Sequence, residues 1–590
     1  MFIKKKTSQI YLSAKKINRL VKHISIKNKK KDTIKLLFLT IAIYLLDLIS
    51  LASIVPLIIL ILQKEKTIEY VNNLNFFSNL IYSDLIIISL FLILVFSLLK
   101  FFFLSYGQYY KNFFLAKIQN AFSTLLLSKY LNNPFQFFLS IKISDLIANI
   151  KIESERAKAF CAILVDFLLE IIVLFTLLII LLILSPTVSI IFFSFLFLSS
   201  YLFLIIIKKH TKRIGEKKSF FYKLVNNHLY QVFNNIKFIK LFNLYSHSIN
   251  YFNDVDVKEI HQTAKYLTLS SLPRIYFEFI FITSTLVLIL IILYILNITD
   301  VNLLANYIGL YALAGFRVLP AVARVYSYSQ QLNFYKNAID IVYDNFFNKS
   351  KILIKKDLVF KNLKRKEVYK IVNLSFSFED NSKINILKNI NLSVNKGDKI
   401  GIIGPSGSGK STLVDIMLGL LNPSGGEILI NKTIFSSHKN FYSRLGYVSQ
   451  NVQLIDGSIK ENIIFGNHHN QKNKLELNKR MIEVSKISNI YNFANKTSSK
   501  FNFKIYEDGK NLSMGQKQRI LIARSLFKDP DILFMDEPTS ALDNANSTNI
   551  LKKILKQKYK TIIIVTHHKS LLKYLNKVYE INNGEIKKIK

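Results

Sequence analysis

The sequence predicts a multidomain protein in which an all-α domain of six membrane-spanning helices precedes an α/β domain. Before about residue 325 the apolar runs are too long for a soluble core, which is typical of membrane helices. From about residue 340, short apolar strands alternate with helical segments. A chain of 590 residues is long enough for several domains. We place the boundary after residue 335, which gives domains of 1–335 and 336–590.

Composition supports the membrane assignment and argues against nucleic-acid binding. Hydrophobic residues make up 51% of the chain, and the formal net charge is +41. Such a charge also occurs in nucleic-acid-binding proteins, but here the lysines are spread over the chain and form no single stripe. We therefore expect no nucleic-acid partner. The only cysteine, Cys161, lies in an apolar run, so we expect a packing residue and no intramolecular disulfide.

Most of the six predicted spans have the length of about 20 residues that a helix needs to cross about 30 Å of hydrocarbon. They are residues 36–62, 85–106, 162–184, 187–207, 275–297 and 302–325. The third and fourth are joined only by the segment SPTV, which predicts a tight hairpin. The sixth is the least regular because it contains Arg317, Pro320 and Arg324.

The charges of the connecting segments predict the orientation. Segments 1–35, 107–158 and 208–273 are rich in Lys and Arg, whereas the alternate connections carry only Lys64 and Lys66. By the positive-inside rule, both termini, the two long loops and the C-terminal domain face the cytoplasm. Loops of about 50 and 65 residues without structure are uncommon, and both show helical periodicity. We expect them to continue the spanning helices beyond the bilayer.

Two further segments have apolar residues at helical spacing. Residues 10–24 predict either a helix on the inner membrane surface or a solvated basic tail. Residues 68–81, in the first outer connection, predict either a short external helix or an ordinary folded loop. The N-terminal sequence MFIKKKTSQIYLSAKK has no apolar core and no cleavage site, so we expect no cleaved signal peptide.

The strongest local signal is the segment KIGIIGPSGSGKSTLVDIMLGLL, which has the pattern of strand, glycine-rich loop and helix. The glycines let the backbone point several N–H groups at one phosphate, and the helix offers its positive end to the same charge. Lys410 would reach the terminal phosphates and Ser411 would bind Mg²⁺. The candidate nucleotide ligands are Gly404, Pro405, Ser406, Gly407, Ser408, Gly409, Lys410, Ser411 and Thr412.

Two adjacent carboxylates follow a second apolar strand, in the segment ILFMDEPTSALD. Asp536 is a candidate Mg²⁺ ligand, directly or through water. Glu537 is a candidate to orient or deprotonate the attacking water. Such a pair is also found in plain surface turns, but the matched phosphate loop favours the catalytic interpretation.

With these motifs, the chain resembles the nucleotide-binding domain of ABC transporters over essentially all of 340–590. The resemblance implies an α/β P-loop NTPase fold, with ATP and Mg²⁺ as cofactors and ATP hydrolysis coupled to transport. It also implies an integral membrane protein, in the plasma (inner) membrane of a bacterium.

The resemblance assigns roles to residues that alone would be interpreted as packing or loop residues. Phe378, in SFSFED, matches the aromatic that stacks on adenine. Gln450, in GYVSQ, matches the glutamine that contacts Mg²⁺ and the attacking water. His567, in IIIVTHH, matches the histidine that contacts the terminal phosphate. Ser540 and Asp543 match the loop after the second carboxylate.

The segment LSMGQ resembles the family signature, which is usually Leu-Ser-Gly-Gly-Gln. Ser513, Gly515 and Gln516 match, and Met514 replaces the first glycine. In the family, this segment binds the terminal phosphate of ATP that is held by the opposite subunit. We expect Ser513 to cap a helix, which leaves N–H groups facing outward.

One phosphate loop and one signature do not complete an ATP site within a single chain. We therefore expect the chain to pair, most simply as a symmetric homodimer or else with a related half-transporter. Since the ATPase shares a chain with the spans, the resemblance implies an exporter or flippase rather than an importer.

The substrate is predicted from a narrower resemblance. Segments 130–150 and 316–334 are similar to those of flippases for lipid-linked oligosaccharides. Such a substrate carries a pyrophosphate, which Arg317 and Arg324 would pair with. The alternative is that these arginines pair within the protein, with Asp47, Asp166, Glu170 or Glu278.

Two other functions stay open at this point. One is export of a peptide or small hydrophobic compound by the same machinery. We expect no peptidase-like domain before the spans, which favours multidrug-type export over a cargo-cleaving peptide exporter. The other is a non-transporting ATPase, either an ATP-gated channel or a soluble nucleic-acid or ribosome factor. The spans argue against the soluble form, and Glu537 with His567 favours turnover over slow gating.

Overall fold

The contacts within the protein divide the chain into two compact units. The first comprises Met1–Asn132 and Ile143–Asn348, and the second comprises Asn133–Lys142 and Lys349–Lys590. The computed structural model describes residues 12, 15–23, 29–53, 82–184, 186–294, 301–347, 367–378, 385–430, 433–434, 444–466, 474–506, 509–538, 544–556 and 560–590.

The first unit has helices and no strand among its described residues. Its helices, with the short α3 that groups with the second unit, are α1 (Lys29–Ala52), α2 (Tyr82–Leu131), α3 (Phe135–Ser140), α4 (Ile143–Ala148), α5 (Ser154–Leu184), α6 (Pro186–Asn234), α7 (Ile236–Leu241), α8 (Tyr245–Tyr294) and α9 (Val301–Phe347). A π-helical turn, Asn149–Glu153, lies between α4 and α5.

The four longest helices extend well past the length of a membrane span. Helices α2 and α8 have 50 residues each, α6 has 49 and α9 has 47. At 1.5 Å per residue, a helix of this length measures about 70–75 Å, more than twice the hydrocarbon thickness. The predicted helical character of the two long loops is confirmed, because α2, α6 and α8 run through most of them.

Three helices are long and apolar enough to cross a membrane among the residues that the structure describes: Ser83–Leu131, Ile143–Ile183 and Tyr245–Ile291. A shorter apolar helix covers Ser189–Phe203. Part of the first predicted span, the end of the fifth and the segment 68–81 lie outside the described residues. The count of six spans therefore stays a prediction.

The boundary that we drew after residue 335 falls inside α9. The helix continues to Phe347 because Leu332, Ile339 and Val342, which are fully buried, extend an apolar stripe at helical spacing. The apolar run of the sixth span ends before this stripe does, which is why the sequence pattern placed the domain boundary before the end of the helix.

Charged side chains inside the first unit are paired between helices. Asp47 of α1 binds Lys100 of α2 at 2.6 Å and also pairs with Arg317 of α9. Arg324 of α9 donates to Glu170 of α5, with Nε 2.6 Å from Oε1. Both arginines thus have the internal partners that the sequence offered as the alternative to substrate. Pairing is expected, since a lone charge among apolar helices is costly.

The N-terminal segment packs on the end of α9. Residues 15–23 are helical, which confirms part of the helix predicted over 10–24. Lys16 forms an ion pair with Asp340 at 2.6 Å, and Arg19 donates to the Tyr343 hydroxyl at 3.0 Å. Leu20 is fully buried. These contacts contradict a wholly solvated tail.

The second unit is the predicted α/β domain. Its strands are β1 (Glu367–Phe376), β2 (Leu387–Asn395), β3 (Lys399–Ile403), β4 (Gly425–Ile430), β5 (Thr433–Ile434), β6 (Leu445–Val448), β7 (Gly457–Ser458), β8 (Lys504–Ile505), β9 (Ile532–Asp536), β10 (Thr561–Val565), β11 (Lys577–Asn582) and β12 (Glu585–Lys588). Its longer helices are α10 (Lys410–Met417), α11 (Ile459–Ile464), α12 (Lys474–Ile487), α13 (Tyr491–Lys496), α14 (Met514–Phe527) and α15 (Asn544–Leu555).

Two sheets organise this unit. The larger has the strand order β12-β11-β3-β10-β9-β6, in which every pair except β11–β12 is parallel. The smaller is antiparallel, with the order β2-β1-β4-β5. Strands β9 and β10 are buried over their whole length, as expected of parallel strands that are covered on both faces.

The register of the parallel sheet brings distant motifs to one edge. Val565, the last residue of β10, lies opposite Asp536 of β9 and Ile402 of β3. The phosphate loop, the paired acids and the segment that contains His567 therefore all leave the sheet at the carboxyl ends of neighbouring strands. Ligands of open α/β sheets bind at this edge.

We expect Asp47→Asn to lower the thermal unfolding temperature of the protein in detergent. The Asp47 side chain is 9% exposed, and its loss leaves two cations without their carboxylate. Removing one partner of a buried ion pair typically costs about 3–5 kcal/mol.

The matched control is Asp145→Asn, which changes an exposed carboxylate of α4 in the same unit. It should leave the unfolding temperature nearly unchanged. Equal temperatures for the Asp47 variant and the wild-type chain would show that the pair adds no stability.

Candidate nucleotide-binding site

The phosphate loop depends on glycine at its first position. Gly404 has φ 148°, and a Cβ there would lie 2.1 Å from the carbonyl oxygen of Ile581. Only a residue without a side chain fits this approach of β11 to the loop. Gly409 also has a positive φ, 99°, and directly precedes α10. The sequence pattern thus folds into the predicted strand, loop and helix.

Lys410 lies against its own loop. Its side chain is buried, and Nζ donates hydrogen bonds to the carbonyl oxygens of Pro405 at 2.7 Å and Gly404 at 3.1 Å. Burial lowers the pKa of Lys410, while the nearby carboxylates of Glu537 and Asp536 act in the opposite direction. A phosphate at the loop would give this ammonium a charged partner in place of two neutral carbonyls.

Two buried oxygen atoms in and beside the loop have no hydrogen-bond partner among the residues that the structure describes. They are Oδ1 of Asp536, at the end of β9, and Oγ of Ser408. Burial raises the pKa of Asp536, and a hydrogen bond with Ser411 opposes that rise. A carboxylate and hydroxyls are the oxygen ligands that Mg²⁺ prefers, so these residues fit a metal-bound nucleotide. Ser411, Asp536 and Gln450 are the residues that would hold the metal ion.

The three predicted catalytic residues lie together. The carboxylate of Glu537 accepts a hydrogen bond from Gln450 Nε2 at 3.0 Å and lies 2.9 Å from His567 Nε2. These residues follow β9, β6 and β10, three neighbours in the parallel sheet. Their side chains therefore hold one carboxylate at the edge where the phosphate loop also lies.

Glu537 has an unusual backbone. Its φ is 47°, which is uncommon for a residue with a side chain. Its N–H donates to the carbonyl of Val565 at 3.0 Å. Strained backbone of this kind is enriched at functional sites, where the surrounding structure holds it.

The other predicted ligands lie on the surface of the second unit. Phe378 follows β1, is 58% exposed and packs edge-to-face on Phe376 at 5.2 Å. An exposed aromatic ring is not a core residue, so the packing alternative for Phe378 is wrong. Pro405, Ser406 and Gly407 are exposed, and Thr412 is half-buried in the first turn of α10. Ser540 and Asp543 lie outside the described residues.

The signature residues form a capping box at the beginning of α14. Ser513 Oγ accepts from the N–H of Gln516 at 3.3 Å, and Gln516 Oε1 accepts from the N–H of Ser513 at 2.9 Å. Within the part of the chain that the structure describes, no hydrogen bond or ion pair joins Ser513 or Gln516 to Lys410. Gly515 lies in the first turn, and Met514 is 55% exposed. The replaced glycine thus changes the surface of this helix end and not its core.

Two polar residues further along α14 were missed by the sequence interpretation. Gln518 is fully buried, and its Nε2 donates to the carbonyl oxygen of Glu537 at 3.1 Å. Arg524 donates to the carbonyl of Gln453 at 3.0 Å and to the carbonyl and side chain of Asn462 at 2.8 and 2.6 Å. The available signal was their polarity in a helix whose other inward residues, apart from Ser525, are apolar.

We expect Gly404→Ala to weaken the binding of a labelled ATP analogue by about 5- to 150-fold. The added methyl group meets a backbone carbonyl, so the loop or β11 has to move, and overpacking typically costs about 1–3 kcal/mol.

The control is Gly466→Asn, at a glycine with φ 81° where, among the described residues, an added Cβ has only the Lys528 ammonium nearby, at 3.9 Å. Asparagine tolerates this backbone conformation. Equal loss of affinity in both variants would indicate general destabilisation and would contradict the assigned role of the loop.

Comparisons with known proteins agree with this geometry. The ABC transporter family matches residues 387–540, which contain the phosphate loop and the two carboxylates. A Lactococcus lactis protein named as a lacticin-481/lactococcin-DR transport/processing ATP-binding protein is 39% identical over 217 residues, which cover 36% of this chain and 30% of that protein. A Rickettsia typhi protein named as an export ATP-binding/permease protein is 28% identical over 511 residues, which cover 82% of this chain and 83% of that protein.

The fold also has a close counterpart among solved structures. A bacterial Atm1-family ABC exporter with ATP bound superposes with a TM-score of 0.74, and the alignment covers 94% of both chains at 18% identity. At that identity the likeness concerns the fold alone. The chain therefore has the fold of an Atm1-like ABC exporter, in which a helical domain with candidate membrane spans precedes an ABC ATPase domain.

Proposed function

We propose that this chain is one subunit of a dimeric, ATP-driven exporter that translocates a lipid-linked oligosaccharide or another lipid-like amphiphile. The observation that carries the proposal is the contact of Glu537 with Gln450 and His567 beside the phosphate loop, on a chain with long apolar helices. The excess of Lys and Arg in alternate segments supports an orientation with both termini and the ATPase domain in the cytoplasm. The membrane of this proposal is the plasma membrane of a bacterium.

The residues at the sheet edge divide the work of ATP hydrolysis. Lys410 and the N–H groups of the loop bind the phosphates, and Ser411, Gln450 and Asp536 hold Mg²⁺, which neutralises phosphate charge when it is bound. Glu537 orients or deprotonates the attacking water. Gln450 and His567 fix the position of the Glu537 carboxylate. Phe378 would stack on the adenine, and Asp543, which follows the two acids in the sequence, would belong to the same nucleotide site.

A second copy of the chain completes the site. Ser513, Gly515 and Gln516 present the positive end of α14 outward, where a phosphate binds well. The capping box satisfies some of the N–H groups at this end and leaves others for a ligand. Two chains that face each other would place each signature on the ATP of the partner, which gives a homodimer or a pair with a related chain.

The charges of the helical unit support an anionic group on the substrate. Asp47 pairs with two cations, Lys100 and Arg317, so this group has a surplus positive charge. Arg317 Nε and the Tyr44 hydroxyl are buried and have no hydrogen-bond partner within the described part of the chain. Intramembrane charges commonly mark a transport pathway. The pyrophosphate of a lipid-linked glycan has the chemistry to bind there.

Peptide export is the second candidate. It is favoured by the identity of 39% to the lacticin-481/lactococcin-DR transport/processing protein, which covers only 36% of this chain. Multidrug-type export uses the same architecture. In an ATP-gated channel, hydrolysis would be slow, and the contact of His567 with Glu537 supports turnover instead.

We expect Glu537→Gln to keep ATP binding and to lower kcat by at least about 100-fold, because the amide cannot take a proton from water. ATP should then trap the dimer, which size-exclusion chromatography in detergent measures together with the phosphate-release rate.

Glu585→Gln, an exposed carboxylate of β12, is the matched control and should retain wild-type turnover. Near-normal hydrolysis by the Glu537 variant would remove this residue from the proposed role.

We expect a polyprenyl-pyrophosphate glycan to stimulate ATP hydrolysis in lipid vesicles and to be flipped across the bilayer. Lys100→Gln should raise the half-maximal lipid concentration by about tenfold, as the loss of one charge-assisted contact implies. Lys258→Gln, at an exposed position of α8, is the control and should leave the half-maximal lipid concentration unchanged.

The same measurements with an amphipathic peptide and a hydrophobic dye separate the alternatives. Stimulation by one of these and not by the lipid would favour the peptide or multidrug function. Stimulation by none of them, without flipping, would count against the flippase.

A further inference from the structure

Helix α14 carries the signature at its beginning and contacts Glu537 and the segment after Gln450 at two later places. Ser513 caps its beginning, where the signature lies. Gln518, one and a half turns later, reaches the backbone of Glu537. Arg524, near its end, binds the segment that follows Gln450. One rigid helix thus connects the signature to residues that fix the catalytic carboxylate of the same chain.

The contact of Gln518 holds a backbone that needs support. Glu537 has φ 47°, and its peptide groups are held on both sides, by Val565 through the N–H and by Gln518 through the carbonyl oxygen. Gln518 is fully buried, so its amide is not exchanged for water. A change in this backbone moves the carboxylate away from Gln450 and His567, because the side chain starts from the strained Cα.

Arg524 holds the segment that follows Gln450, whose amide donates to the Glu537 carboxylate. Its guanidinium binds the carbonyl of Gln453, three residues after Gln450, and both the carbonyl and the side chain of Asn462. Asn462 is fully buried and itself binds the backbone of Ile455. The segment that follows Gln450 is therefore attached to α14 as well. The backbone of Glu537 and the segment after Gln450 are thus both hydrogen-bonded to side chains of this helix.

We propose that Gln518 is a positioning residue for ATP hydrolysis, and that α14 transmits the occupancy of its signature end to Glu537 of the same chain. The proposal rests on the dimeric function above, in which the signature of each chain binds the ATP of its partner. Gln518 lies about 7.5 Å along the helix from Ser513, and a helix of this length moves as one body. ATP held at one site thereby sets the hydrolysis rate at the other.

Gln518→Met tests the positioning role in the purified full-length chain in lipid nanodiscs. Methionine has a similar volume but lacks the amide donor. We expect kcat to fall by about 10- to 100-fold, the range that displaced catalytic groups produce, with the Kd of a labelled ATP analogue within about twofold of wild type. Wild-type kcat in this variant would overturn the positioning role.

Two further variants separate positioning from stability. Ser525→Ala removes a buried hydroxyl of the same helix that binds only the helix's own Ile522 carbonyl among its described contacts, and it should retain wild-type kcat. Gln518→Ala leaves a cavity without steric conflict and should also lower kcat at unchanged ATP affinity. Loss of ATP binding in both Gln518 variants would assign this residue to stability and would overturn the proposal.

A double-mutant cycle on kcat tests the transmission. If the signature acts through Gln518, Ser513→Ala combined with Gln518→Met should be about as slow as the slower single variant. Fold-losses that multiply would show independent action and would overturn the transmission. A wild-type chain that hydrolyses ATP as a monomer would instead overturn the proposed function, and that result is visible before any variant is made.

Discussion

The parallel pairing of β3, β9 and β10 is the constraint on which the ATP site depends. The register places the end of β10 beside the ends of both neighbours, so that the phosphate loop, the two acids and His567 emerge at one edge. A slip of one residue would move a strand end by about 3.3 Å and turn its side chains to the other face. The buried Ile, Leu, Phe, Met and Val side chains of these strands thus fix the chemistry by fixing the register.

In the helical unit, opposite charges have the corresponding role. Asp47 and Glu170 neutralise arginines that apolar surroundings would not tolerate alone. The same pairs join α1, α2, α5 and α9. Because Asp47 serves two cations, this group combines helix packing with an unbalanced charge. The ion pairs of Asp47 with Lys100 and Arg317 therefore stabilise the helix packing and, in the proposed function, also supply the positive charge for an anionic substrate.

The two-part organisation and the phosphate loop were predictable because their signals are local. A run of apolar residues that predicts a span, or a spaced set of glycines that predicts a phosphate loop, can be recognised within about 20 residues of sequence. The grouping of Glu537, Gln450 and His567 came from family resemblance, since nothing in the spacing of these residues shows that they meet. Gln518 was missed because its role is a tertiary contact with a carbonyl oxygen, which has no sequence pattern. The domain boundary drawn after residue 335 falls inside α9 because the buried stripe of that helix continues beyond its apolar run.

The length of the long helices has a mechanical consequence. Helix α2 has 50 residues and no proline, so it behaves as a stiff rod of about 75 Å. Tilting such a rod by about 5° displaces one end by roughly 6–7 Å relative to the other, more than a helical turn. Helix α8 has the same length but contains Pro273, which removes one backbone donor and marks a place where it can bend. A tilt of α2 that is too small to disturb its local packing therefore displaces the end of the helix by several ångströms, which is enough to move a surface in contact with that end.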